Sequence, residues 1–173
     1  MKKRWKAGFT AVEMLVVVLI VSLLTAGIIT VSGAAVNVRS NELFASESEE
    51  LAMTLNTALG DMLHYATGVK TDGEDQVVDL TNLNYGIKNG SFLLKENGQL
   101  YLNTTVATAE NNRTLPLVSA GTYTNMKLES FSITYDKTEN LFRGSYEIKG
   151  PGDNQKKTID FVFRPMNQPE VVG

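Results

Sequence analysis

The sequence predicts an α+β chain in which a long N-terminal helix, transmembrane in its first half, packs against an antiparallel β-sheet. Three observations predict it. Met14 to Val38 is a run of 25 residues without a charge. Apolar residues then recur at helical spacing as far as Ala66, and alternating apolar strands separated by turn residues fill much of the remainder. A chain of 173 residues leaves room for one modest globular domain once the apolar segment is set aside.

As a helix the uncharged run extends roughly 37 Å, enough to cross a bilayer with some tilt. Lys2, Lys3, Arg4 and Lys6 precede it, whereas Arg39 after it is followed by Glu42, Glu47, Glu49 and Glu50. The basic flank is expected on the cytoplasmic side and the C-terminal part outside. Glu13 stands four residues into the apolar stretch. A charge near the centre of a membrane helix costs about 2.5–3.5 kcal/mol on insertion scales, less near the interface, so this acid calls for a partner.

Several fates fit such a segment. An ordinary secretory signal would be cut after the apolar run, at Ser32-Gly33-Ala34 or Gly33-Ala34-Ala35, leaving a soluble secreted binding domain. A simple single-pass anchor would keep it, but neither makes use of Glu13. The octapeptide Gly8-Phe9-Thr10-Ala11-Val12-Glu13-Met14-Leu15 resembles the class III signal of type IV prepilins and type II secretion pseudopilins: a short basic leader, a glycine, an aromatic residue, and a glutamate at the fifth mature position. The resemblance covers residues 2 to 38.

That resemblance implies a leader at 1–8, a transmembrane and assembly helix at 9–38, its amphipathic continuation at 39–67 and an extracellular β-rich domain at 68–173. It implies cleavage between Gly8 and Phe9 by a prepilin peptidase, N-methylation of Phe9, and Glu13 as the assembly carboxylate. The implied partners are that peptidase, other pilin subunits, a membrane assembly platform with its ATPase, and the lipid bilayer. The implied role is a structural subunit, major or minor, of a surface pilus, a secretion pseudopilus or a competence pilus. The chain departs from many type IV pilins in having no cysteine for a C-terminal disulfide and no proline in the helix.

The chemistry gives the pattern a reason. Cleavage would create an α-amine at Phe9, cationic near neutral pH. Glu13 could meet the Phe9 amine of a neighbouring subunit and fix axial register, or pair within its own chain, since positions 9 and 13 share one helical face. Ser22, Ala26, Thr30 and Ala34 recur every fourth residue, with Gly27 and Gly33 close by. Such a face lets helices approach closely, although small residues are common in membrane helices of any kind.

Beyond the membrane, Phe44, Leu51, Leu55, Leu59, Met62 and Ala66 draw one apolar stripe. With no proline between Phe9 and Ala66, a single helix of 58 residues is allowed, about 87 Å long at the standard rise, with Gly68 as its C-terminal cap. Residues 68 to 84 read as a loop with a short strand at Gln76 to Leu80. Within it, Asp72-Gly73-Glu74-Asp75 reads as a solvated turn, not a calcium loop. Asn89-Gly90 and Asn97-Gly98 are hairpin signals. As two-residue turns they would set Ile87 against Phe92, Tyr85 against Leu94 and Leu94 against Tyr101 on a core face. Thr104 to Thr114 reads as a polar interruption. Three alternating strands follow, carrying Phe131, Ile133 and Tyr135; Phe142, Tyr146 and Ile148; and Ile159, Phe161 and Phe163, with Gly150 to Asn154 making the second connection.

Composition narrows the function classes. The formal charge is −3, and loss of the four basic leader residues would take it to −7, unfavourable for nucleic-acid binding. The absence of cysteine excludes disulfides, thiolate metal sites and cysteine nucleophiles. His64 is the lone histidine, so it has no second imidazole for a metal site or relay. Phosphate loops, nucleophile elbows and zinc signatures are missing. An enzyme is therefore not expected, and neither is a cofactor. Asn89-Gly90-Ser91, Asn103-Thr104-Thr105 and Asn112-Arg113-Thr114 match a glycosylation sequon, and they read as turn chemistry.

Overall fold

Residues 10–106 and 112–172 are described by the computed structural model. A single helix, α1, spans Ala11–His64. No proline interrupts it, and its glycines, Gly27, Gly33 and Gly60, are isolated. The chain divides into two compact units, Met1–Leu43 and Phe44–Gly173. In the first, every described residue is exposed and helical from Ala11 onward.

The second unit is α+β, as expected. Its strands are β1 (Gly68–Thr71), β2 (Val77–Asn82), β3 (Ile87–Leu94), β4 (Leu100–Val106), β5 (Asn112–Pro116), β6 (Lys127–Asp136), β7 (Leu141–Lys149), β8 (Lys156–Phe163) and β9 (Glu170–Val172). They form a six-stranded sheet of order β5-β4-β3-β2-β1-β9 and a three-stranded sheet of order β6-β7-β8. Neighbours pair antiparallel except β1 and β9. Leu51, Leu55, Leu59 and Leu63 of α1 are fully buried, and they join Leu80 and Leu100 of one sheet and Tyr135, Phe142 and Tyr146 of the other in one core. Each such leucine contributes about 1.5–3 kcal/mol by removal from water. The stripe read from the sequence is present, with Phe44 and Met62 at its margins and with Leu63, Ala52 and Ser48 added to it.

Burial also explains the polar groups inside. The Tyr146 hydroxyl donates to the Ala52 carbonyl at 3.2 Å and to Asn56 Oδ1 at 3.0 Å. The Tyr123 hydroxyl accepts the Leu100 N–H at 2.9 Å. Desolvation pushes both phenols above the usual tyrosine range, so they serve as neutral hydrogen-bonding groups.

The helix end differs from expectation. Gly68 does not cap it but opens β1, because α1 stops at His64 and finds tertiary partners for its last carbonyls. Asn82 Nδ2 donates to the Met62 carbonyl at 2.9 Å, and the N–H groups of Ala66 and Met166 reach the carbonyls of Leu63 and His64. With these groups satisfied, no left-handed glycine is required.

The hairpin readings need two corrections. Asn89-Gly90 is a bulge inside β3, not a turn: Lys88 pairs with Thr105 and Ser91 with Asn103, so two residues oppose one. Asn89 takes the left-handed conformation at φ 49°, which asparagine tolerates. The actual β2–β3 turn is a 3-10 turn at Leu83–Tyr85, ended by Gly86 at φ 65°. Asn97-Gly98 does turn the chain, but Lys95 N–H pairs with the Gln99 carbonyl, so three residues connect the strands where two were expected. The register therefore slips by one. Leu94 faces Leu100 and Leu93 faces Tyr101, which puts Leu100 into the core and leaves Tyr101 only partly buried.

Elsewhere, the short strand expected at Gln76 to Leu80 is present as β2, and the loop expected before it contains β1. Within the polar interruption at 104–114, the described residues are strand: 104–106 end β4 and 112–114 open β5. Asn89 and Asn112, expected in a turn and in the polar interruption, lie in strands, as does Asn103. The three C-terminal strands are β6, β7 and β8, and the expected connection at 150–154 is where β7 turns into β8.

Candidate functional site

The N-terminal part of α1 carries the sequence-derived site. Gly8 and Phe9 lie outside the described residues. Thr10 precedes the first helical residue, and Glu13 lies in the first turn. The Thr10 N–H and hydroxyl both donate to Glu13 Oε2, at 2.9 and 2.8 Å, while the Glu13 N–H donates to Thr10 Oγ1 at 3.3 Å. This is a capping box: two side chains close the open N–H groups of a helix start reciprocally. The carboxylate thus has intrachain partners at the rim of the apolar segment. The Thr-x-x-Glu spacing at Thr10 to Glu13 is the sequence signal for it, passed over in favour of an ionic partner.

From Met14 to Val38 the helix is apolar on all sides, long enough to cross a membrane. Three of its hydroxyls are satisfied by the helix backbone. Ser22 Oγ donates to the Leu19 carbonyl at 2.8 Å, Thr25 Oγ1 to Val21 at 2.8 Å and Thr30 Oγ1 to Ala26 at 2.9 Å. Ser22, Ala26, Thr30 and Ala34 are exposed along this stretch. A Cβ added at Gly27 or Gly33 would meet nothing within 4 Å. These positions are therefore open to another helix. The chemistry available is insertion and close packing.

The remaining candidates resolve into structural roles. His64 Nδ1 lies 2.6 Å from the Arg164 carbonyl, and its ring meets Phe163 edge-on at 5.7 Å. Asp72 Oδ1 accepts the N–H groups of Glu74 and Gln76 at 3.0 and 2.9 Å, folding the acidic cluster into a turn. Among the described residues no three acidic or histidine side chains are grouped to hold a metal. The second unit also carries an open groove of about 650 Å³, between Met53, Thr54, Thr57, Ala58 and Asp61 of α1 and the segment 117–122.

No family model, curated protein or solved structure matches this chain. The chemistry of the N-terminal segment is an uncharged helical run with one exposed, hydrogen-bonded carboxylate at its start and one arginine at its end.

Proposed function

We propose that the chain is a structural subunit, major or minor, of a type IV pilus-like or pseudopilus filament on the cell surface. In this reading a prepilin peptidase cleaves between Gly8 and Phe9, Phe9 is N-methylated, and a membrane platform with its ATPase draws the subunit from the bilayer into the filament. The N-terminus is cytoplasmic and the second unit extracytoplasmic, in keeping with the four basic residues before the apolar run. The observation that carries the proposal is Glu13, a carboxylate retained at the head of a 25-residue uncharged run and fifth in the sequence that begins at Phe9, directly after Gly8.

Glu13 then has two states. Before assembly Thr10 satisfies it; in the filament the α-amine of a neighbouring Phe9 replaces the threonine with an opposite charge, in surroundings where charge pairing is strong. Continuity of α1 through Ser32-Gly33-Ala34-Ala35 favours retention of the segment over cleavage there.

Mass spectrometry of the mature N-terminus tests the proposal. A chain starting at methylated Phe9 is expected, and a start near Ala35 or Val36 would overturn it in favour of a secreted domain. Glu13→Ala should insert normally yet be left out of filaments. Normal incorporation of that variant would remove the role given to the carboxylate.

A further inference from the structure

The groove on the second unit has a firm wall and an undemanding floor. Its wall follows β5 and is anchored by Tyr123, whose hydroxyl accepts the Leu100 N–H and whose carbonyl accepts the Met126 N–H at 2.7 Å. The next residue, Thr124, is held at φ 51° and ψ −113°, a conformation a β-branched residue adopts only when its surroundings impose it. On the floor, Thr54 Oγ1 donates to the Glu50 carbonyl at 2.9 Å and Thr57 Oγ1 to the Met53 carbonyl at 2.8 Å, so neither hydroxyl needs a partner from outside. Met53 is 68% exposed. Asp61 is the one charged side chain lining the groove, and among the described residues it has no ion-pair partner in its own chain.

α1 contains a single lysine or arginine, Arg39, the first charged residue after Glu13. It too is exposed, and among the described residues it makes no ion pair within the chain. We infer that the groove is the seat of a second copy of this chain, occupied by that copy's α1 from Ile28 to Arg39, with Arg39 paired to Asp61.

The spacing of the two faces matches. Met53, Thr54, Thr57 and Asp61 of the groove lie at i, i+1, i+4 and i+8, and so do Val31, Ser32, Ala35 and Arg39. Parallel helices staggered by 22 residues, roughly 33 Å of helical rise, bring Met53 opposite Val31, Thr54 opposite Ser32 and Thr57 opposite Ala35. The small residues then allow close approach, and the groove receives uncharged side chains until the apolar run ends at Arg39. Seat and occupant are different surfaces, so the contact is heterologous and propagates as a filament does.

The inference rests on the filament reading above, and its test separates the two. In filaments sheared from cells, Asp61→Arg and Arg39→Asp are each expected to lower the subunit's incorporation at least about tenfold, and the double exchange to restore it to within about threefold. Both sites are exposed, so folding should persist. Because the chain has no cysteine, Ser32→Cys with Thr54→Cys should give a ladder of disulfide-linked multimers, which needs Cα atoms within about 7 Å. Val17→Cys with Thr54→Cys should give none. If filaments form but either the rescue or the ladder is missing, the pairing alone is overturned. If the parent chain yields no filament, the filament reading falls and the pairing with it.

Discussion

Between Ala11 and Val38, α1 leaves every side chain exposed, Leu15 at 68% and Val31 at 70%, whereas between Leu51 and Leu63 the same helix buries four leucines completely. The difference lies in arrangement. In the first stretch apolar residues occupy all sides of the helix, so no rotation about its axis could hide them behind a sheet. In the second, the leucines are confined to one face, with Glu50, Thr57 and Asp61 and the single exposed apolar residue Met53 on the other. One face wants a sheet; a whole circumference wants lipid or other helices. One helix can therefore carry a stretch that folds with a sheet and a stretch long and apolar enough to cross a membrane, with different residues answering to each.

The largest effect that would sharpen this contrast is a matched pair of truncations. Leu55→Ala removes a side chain buried on all sides and should cost about 3 kcal/mol, within the usual 2–5 kcal/mol for a core leucine. Ile28→Ala removes as much apolar surface from the exposed half and should leave unfolding of the second unit unchanged. Urea denaturation of the detergent-solubilised chain measures both. Equal destabilisation by the two variants would break the division drawn here.

A smaller effect is expected at the point where the helix ends. Asn82 is fully buried; its amide donates to the Met62 carbonyl at 2.9 Å and its Oδ1 accepts the Tyr85 N–H at 3.3 Å. Asn82→Leu keeps the volume but leaves both groups unpaired, an expected loss of about 2 kcal/mol. Hydrogen exchange at the Tyr85 amide should rise in the same variant. Unchanged protection there would mean that the 3-10 turn is held by something other than this side chain.

These residues show how much the sequence made legible. Leu51, Leu55 and Leu59 announce themselves by spacing, and Phe142, Tyr146 and Phe161 by alternation, because burial on one face imposes the period of the element. Asn82 announces nothing: its value depends on a helix end twenty residues away. Asn89-Gly90 misled because left-handed backbone suits a bulge as well as a turn, and the dipeptide does not say which. β9, three residues at Glu170–Val172, is too short for any period and exists because β1 offers a free edge to pair with in parallel. At the candidate site, Glu13 stands out as a misplaced charge, and its three-residue spacing from Thr10 is the sequence signal of the capping box that the geometry shows. The groove could not be read at all, since it joins α1 to a loop that follows β5.

The smallest predicted effect concerns charge, and it too separates the regions, because Met14 to Val38 contains nothing that titrates. On β6 of the second unit, the carboxyl of Glu129 is held down from 4.5 to about 2, first by Lys149, 2.8 Å from Oε1, and then by Lys156 at Oε2. Lys156 also lies 2.9 Å from Glu147 and is pushed up from 10.5 to about 12 by these two acids. A depressed carboxyl favours the folded state fully above its unfolded value, so this contribution is present above about pH 4.5 and lost as the pH falls through about 2. The raised lysine works in the opposite sense, contributing below about pH 10.5 and losing its effect as the pH rises through about 12. All of these groups reach solvent, so the dependence should be shallow and should flatten at about 1 M salt, where the screening length falls to about 3 Å. Urea midpoints between pH 2 and 5 should drift less in Glu129→Gln than in the parent chain at low salt, and equally at high salt. An identical drift in both at low salt would assign the acid sensitivity to other carboxylates and leave the Glu129 cluster as surface charge without consequence for stability.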